Sequence, residues 1–164
     1  MKAIASACLL VLFAAALPAK DADTDHPDIR AVVESFRTSI LQRDKPRFLA
    51  LFVQAEAPWQ SVLSDVSLAQ VKRDRPDAMK AKFAPSNNPT QFIDGIVASK
   101  NSSEETFDNV RIDTDGDVAT VAFDYKFLSN GKTTNWGKEC WLLVRTDAGW
   151  KITTLVYSVI LPKH

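Results

Sequence analysis

Four side chains have the types and spacing of a binding site: Trp59, Tyr125, Trp136 and Lys138. Aromatic rings beside a single lysine suit a largely apolar ligand with a negative group, the rings giving contact area and the ammonium orienting the charge. Desolvated against Phe123, Lys138 would clamp an anion; extended along its own stem it would only reach water. Other chemistry finds little support. His26 and His164 sit in the terminal segments, where no scaffold can bring them to one metal. Asp113, Asp115 and Asp117 have the look of a calcium loop but lack its later ligands and bidentate glutamate, so the segment reads as a hairpin turn. Cys140 has no histidine placed to activate it and reads as a small hydrophobe. Neither a glycine-rich phosphate loop nor a serine nucleophile elbow occurs. No catalytic residue, metal ligand or cofactor is therefore assigned. Asp124 and Glu139 become candidate acids only if the strand pairing derived below is shifted by one residue.

The elements that must carry these side chains are three long strands near the C-terminus. Val118–Leu128 alternates and is rich in β-branched and aromatic residues, and Asn130-Gly131 is the sequence of a two-residue type I′ turn. A second run rises from Thr133 to Arg145, and a third returns from Trp150 to Ile160. Pairing Ser129 with Lys132 puts Tyr125 opposite Trp136, Phe123 opposite Lys138, Val121 opposite Cys140 and Ala119 opposite Leu142. A three-residue loop, Asp147-Ala148-Gly149, adds Trp150, Ile152, Thr154 and Val156 to that face. The face is nearly all apolar, contains no Asp, Glu or His, and is expected to point inward. Asp124, Lys126, Glu139, Trp141, Leu143, Leu155, Tyr157 and Val159 then lie on the outer face. Its apolar members would form a patch larger than soluble monomers usually expose, which predicts a homodimer interface there.

The front half reads as helical. Ile29, Val32, Val33, Phe36 and Ile40 recur at the three- and four-residue spacing of a half-buried helix, with Pro27 in its first turn and Asp25 or His26 as cap. Asp44-Lys45-Pro46 interrupts it and opens a short helix carrying Phe48, Leu49 and Phe52. Ala57–Leu63 is expected as a short strand, Ser67–Lys82 as a charged helix broken near Pro76, and Thr90–Ser99 as another short helix. Met1–Ala19 reads as a secretory signal: a positive end, the apolar run Ile4–Leu17 and a small-residue cleavage site. That run is short of the roughly 20 residues that span a bilayer. A polar leader, 20–26, and a single domain, 27–164, follow. Cleavage would leave 19 basic and 20 acidic residues and Cys140 alone, so no intramolecular disulfide can form. The unclustered, near-neutral charge carries no footprint for nucleic acid or anionic lipid. A secreted or periplasmic location follows from the signal.

The element order resembles the nuclear transport factor 2-like superfamily, the cone-shaped α+β fold of ketosteroid isomerase and the SnoaL-like polyketide cyclases. The resemblance is carried by the opening helix leading into Asp44-Lys45-Pro46-Arg47-Phe48, by Asp115-Gly116-Asp117-Val118-Ala119, and by Asn130-Gly131 followed by Gly149-Trp150-Lys151-Ile152. Ala57-Pro58-Trp59 with Ser61-Val62 is similar to the lumazine-binding-like branch. The resemblance implies a strongly curved antiparallel sheet wrapped around N-terminal helices, a pocket inside the cone and, by analogy, pairing through the sheet. In the enzymes of the superfamily a carboxylate, histidine or tyrosine stands inside that pocket. With a carboxylate-free inner face, the expectation is an exported, non-catalytic domain binding an unknown small molecule. The alternatives are an isomerase- or cyclase-type enzyme with an inward carboxylate, and a homodimeric scaffold.

Overall fold

The computed structural model describes residues 26–163. The expected signal segment and the leader as far as residue 25 lie outside the described residues.

Helix α1 (Pro27–Gln42) begins at the proline, after His26, and buries Ile29, Val32, Val33, Phe36 and Ile40, the stripe predicted from their spacing. It stops at Arg43 in the left-handed conformation, whose guanidinium donates to the carbonyls of Ser99 and Asn101 at 2.8 Å each. The Asp44 side chain caps α2 (Lys45–Leu49) by accepting from the Arg47 amide at 3.1 Å. Strand β1 (Trp59–Leu63) and helix α3 (Asp65–Val71) follow. Helix α3 is much shorter than the Ser67–Lys82 helix expected; 72–88 is turns and loop, and its backbone covers the free edge of β1 through Leu63 to Lys80 and Trp59 to Asn87. Helix α4 (Pro89–Ala98) is capped by Asn88.

Four long strands complete the chain: β2 (Ser103–Thr114), β3 (Val118–Ser129), β4 (Lys132–Thr146) and β5 (Gly149–Val159). The Val118–Ile160 meander is present as predicted, and β2 adds a fourth long strand to the three read from the sequence. The sheet order is β1-β5-β4-β3-β2, antiparallel except for β1, which runs parallel to β5. The Asp113–Asp117 segment is indeed a turn, with the Asp115 carboxylate accepting from the amides of Asp117 and Val118 at 3.0 Å. Among the described residues no helix is long and apolar enough to cross a membrane.

The turn at Asn130-Gly131 has both residues at positive φ (50° and 71°) and pairs Ser129 with Lys132, as the type I′ sequence requires. One step further the register departs from expectation. Leu128 pairs with Thr133, but Phe127 pairs with Asn135, leaving Thr134 as an extra residue whose hydroxyl donates to the Phe127 carbonyl at 3.1 Å. Tyr125 consequently faces Gly137, not Trp136, and Phe123 faces Glu139, not Lys138. Since side chains alternate, one extra residue turns the remainder of β4 over. Glu139, Trp141 and Leu143 point into the core; Lys138, Cys140 and Leu142 point out. In β5, Trp150 and Ile152 face inward as expected, and a second irregularity at Thr153 then brings in Leu155 and Tyr157 in place of Thr154 and Val156. Trp141 and Leu155, assigned to an outer dimer patch by sequence, are instead core residues, and the outer face exposes Val118, Leu142 and Val156.

The core lies between α1 and the inner face of the sheet. Phe36 is its hub, with ring centroids 4.7 Å from Trp141 and 4.8 Å from Phe48. Phe107 and Phe123 pack across β2 and β3 with centroids 4.4 Å apart and planes tilted by 47°. A Trp-Leu pair buries far more apolar area than a Cys-Leu pair, and at about 25 cal/mol per Å2 that difference outweighs the local disruption of a bulge.

Candidate active site

The inverted half of β4 brings a second carboxylate onto the inner face. Glu139 on β4 and Glu105 on β2 are each only 4% exposed. They are set diagonally about Tyr125 on β3, which lies between Phe107 of β2 and Gly137 of β4. Both face a cavity of about 180 Å3 inside the cone, together with Trp59, Tyr125, Asn135 and Tyr157. Phe36 of α1, Phe92 of α4 and Phe127 of β3 supply its apolar walls.

The Trp141 indole N–H donates to Glu139 Oε1 at 2.5 Å, so the side chain that drove the register change also holds the carboxyl it carried inward. Desolvation raises Glu139 to about 7, opposed by the Trp141 hydrogen bond. Desolvation also pushes Glu105 well above the ordinary carboxylate range, and the nearby Glu139 charge adds to it. Two buried like charges cannot both ionise cheaply, so the pair retains at least one proton at neutral pH.

Tyr125 is anchored at the pair's edge. Its phenol lies 2.9 Å from the Ser158 carbonyl and 3.0 Å from Asn135 Oδ1; with one proton, it donates to one of them at a time. Burial, then Glu139 and Glu105, raise its pKa far beyond neutrality, so it serves as a neutral donor. Gly137 makes this contact achievable: a Cβ there would stand 2.1 Å from the Ser158 carbonyl oxygen. Tyr157 reaches Asn87 at 3.2 Å, and burial raises its pKa as well.

Of the four residues singled out by sequence, the structure brings Trp59 and Tyr125 to this cavity and separates Trp136 and Lys138 from it. Trp136 and Lys138 lie on the outer face of the sheet beside a shallow hollow shared with Asp124, Lys126 and Asp108. The Lys138 side chain is 65% exposed and its ammonium donates to Asp124 at 2.5 Å, so Lys138 is not a desolvated anion clamp inside the cone. That hydrogen bond, and a second from the Asn109 amide at 2.7 Å, lower the Asp124 pKa. Glu139 was a candidate acid only under a one-residue shift, which is what Thr134 produces. Glu105 was not singled out. Its signal was the alternation Ser103, Glu105, Phe107, which places it in the column of an inward phenylalanine once β2 is seen as a strand.

No family model matches the sequence, and no curated protein matches it. Solved structures do match the fold. A protein of unknown function with a cystatin-like fold from Nostoc punctiforme superposes with a TM-score of 0.56 at 14% identity, covering 84% of this chain and 94% of that one. A nuclear transport factor 2-like superfamily protein from Salmonella enterica gives 0.56 at 17% identity over 84% and 92% of the two chains. A candidate scytalone dehydratase from Novosphingobium aromaticivorans gives 0.58 at 13% identity over 82% and 83%. Five strands in the order β1-β5-β4-β3-β2, curled over α1 around a cavity, are thus the α+β cone of the nuclear transport factor 2-like, cystatin-like fold.

Proposed function

We propose that the cone is a general acid–base site that isomerises or dehydrates a small, largely apolar substrate. The observation that carries it is the Glu105–Glu139 pair, buried against aromatic walls and facing one cavity. Proton transfer is most efficient when the group's pKa lies near the working pH, and Glu139 at about 7 meets that condition. In its ionised form Glu139 takes a proton from substrate carbon and returns it to another atom of the same molecule. Glu105, kept neutral by burial, donates a hydrogen bond to the oxygen on which charge develops, as Tyr125 does by exchanging its Ser158 contact. The same arrangement weakens the case for a purely non-catalytic binder, which rested on an interior without carboxylates. The dehydratase naming of the Novosphingobium neighbour agrees in reaction type.

The test is hydrogen–deuterium exchange at activated C–H positions of small carbonyl and hydroxy compounds, followed by proton NMR in heavy water. Exchange by the wild type that Glu139→Gln abolishes supports the proposal. Exchange unaffected by both Glu139→Gln and Glu105→Gln would sink it. Export is part of the same proposal, and mass spectrometry of the mature N-terminus checks it. Pairing of two copies through the outer sheet face would bury Val118, Leu142 and Val156, and light scattering decides whether two copies associate.

A further inference from the structure

The walls of the cone cavity offer acceptors and few donors. The Asn135 amide donates to Thr134 Oγ1 at 3.3 Å, and the Tyr157 phenol to Asn87 Oδ1 at 3.2 Å. The Tyr125 phenol is held by Ser158 or Asn135. Among the described residues no Lys, Arg or His lines the cavity, so Glu105 and Glu139 face it without a cation of the chain's own. A carboxyl pair that holds one proton still carries one negative charge. Phe36, Trp59, Phe92 and Phe127 complete the lining, and the faces of such rings are themselves negative.

We infer that the cavity is also a receptor for an organic ammonium ion, a protonated amine on an apolar body, which pairs with Glu139 and Glu105 and so blocks the acid–base cycle. This goes beyond the acid–base proposal, and the binding itself does not depend on it. Charge sets the class. Taking an ammonium out of water is costly, and the cost is offset only where a buried counter-charge and further acceptors meet it. Here two carboxyls and Asn135 Oδ1 line the same cavity, and the aromatic walls add cation–π attraction. A neutral ligand leaves the charge of the pair uncompensated, and an anion enters against it. Hydrogen-bond polarity points the same way: ammonium N–H groups only donate, and carboxylate oxygens only accept. A bound cation favours the ionised carboxylates, so binding expels the proton that the pair retains and tightens as pH rises. Tyr125 and Tyr157, the other titratable groups at the cavity, have raised pKa values and stay neutral throughout.

The test compares one ring with three headgroups: benzylammonium, benzyl alcohol and phenylacetate. Titration calorimetry from pH 6 to pH 8, in buffers of different ionisation enthalpy, gives both the affinity and the protons released. Benzylammonium is expected to bind about tenfold to a hundredfold more tightly than benzyl alcohol, the worth of a hydrogen bond to a charged group. Its affinity should rise with pH, with proton release on binding. Glu105→Gln/Glu139→Gln should abolish the preference for the ammonium, and Asp124→Asn on the outer face should leave it intact. If the double variant does not fold, the wild-type ammonium–alcohol contrast and the proton count decide alone. Alcohol or phenylacetate binding as tightly as the ammonium overturns the inference, as does a preference that survives the double variant or an affinity that does not rise with pH. Ammonium binding of the expected kind in a protein that catalyses no exchange leaves this inference standing and removes the acid–base function. Exchange that saturating benzylammonium does not inhibit does the reverse.

Discussion

The two faces of the sheet carry acids in opposite situations within a few ångströms of backbone. On the outer face Asp124 and Lys138 are direct cross-strand partners, solvated and joined by a hydrogen bond, and the pKa of Asp124 falls. On the inner face Glu139, one residue from Lys138 in sequence, meets Glu105 with no cation among the cavity-lining residues, and both pKa values rise. A carboxylate that water and an ammonium stabilise is a poor proton acceptor at neutral pH. One that burial destabilises is poised to exchange a proton. Which acid is available for chemistry is decided by the face, and the residue type says nothing about it.

The comparison breaks most sharply on activity. Glu139→Gln should lower any exchange or isomerisation rate by about 100- to 10,000-fold, the usual worth of a positioned acid–base group. Asp124→Asn, on the other face, should leave that rate unchanged; equal losses in both variants would mean that the inner pair is not special.

Gly137→Ala probes the backbone that keeps the faces apart. Its Cβ would meet a backbone carbonyl at 2.1 Å, so Ser158 must move and Tyr125 lose its anchor. Overpacking of this kind costs about 1–3 kcal/mol, and a urea melt should show a lower midpoint.

The two faces should also respond oppositely to pH. The pKa of Glu139 is raised on folding, so its contribution to stability is fully present below its ordinary 4.5 and is lost as pH rises through about 7. Glu105, also raised, acts in the same direction, with Tyr125 and Tyr157 the other titratable groups facing the pair. Thermal melts should therefore weaken from pH 5 to pH 8.5 in the wild type, and the double variant Glu105→Gln/Glu139→Gln should flatten the slope. Asp124 runs the other way: its lowered pKa gives stability above 3.8 that is lost as pH falls through its folded value.

Trp141→Phe sharpens the comparison by removing a donor that stabilises ionised Glu139. Because that bond lowers the Glu139 pKa, the variant's pH–rate profile should shift toward alkaline pH. A profile that stays in place would assign Trp141 a packing role only. The smallest effect belongs to Lys138→Ala, which should change neither melting temperature nor turnover measurably, because exposed ion pairs contribute little.

Much of the fold was open to local reasoning. The stripe from Ile29 to Ile40 allows one buried helix face, Asn130-Gly131 allows one tight turn, and the column Ala119, Val121, Phe123, Tyr125 allows one inward face of β3. These are decided within a few residues, by helical and strand periods and by the φ values that Asn and Gly tolerate. Tyr125 belongs to that column, and Trp59 lines the same cavity. What only the tertiary structure decided is the half of the site on β4. A strand's side chains have a period of two, so a single extra residue at Thr134 exchanges both faces beyond it, and no local propensity marks where that residue goes. The position was chosen at a distance, by the room that Phe36, Phe107 and Phe123 leave for Trp141. Burying that indole turned Lys138 out to water and carried Glu139 in beside Glu105, because alternation ties the direction of each side chain to that of its neighbours.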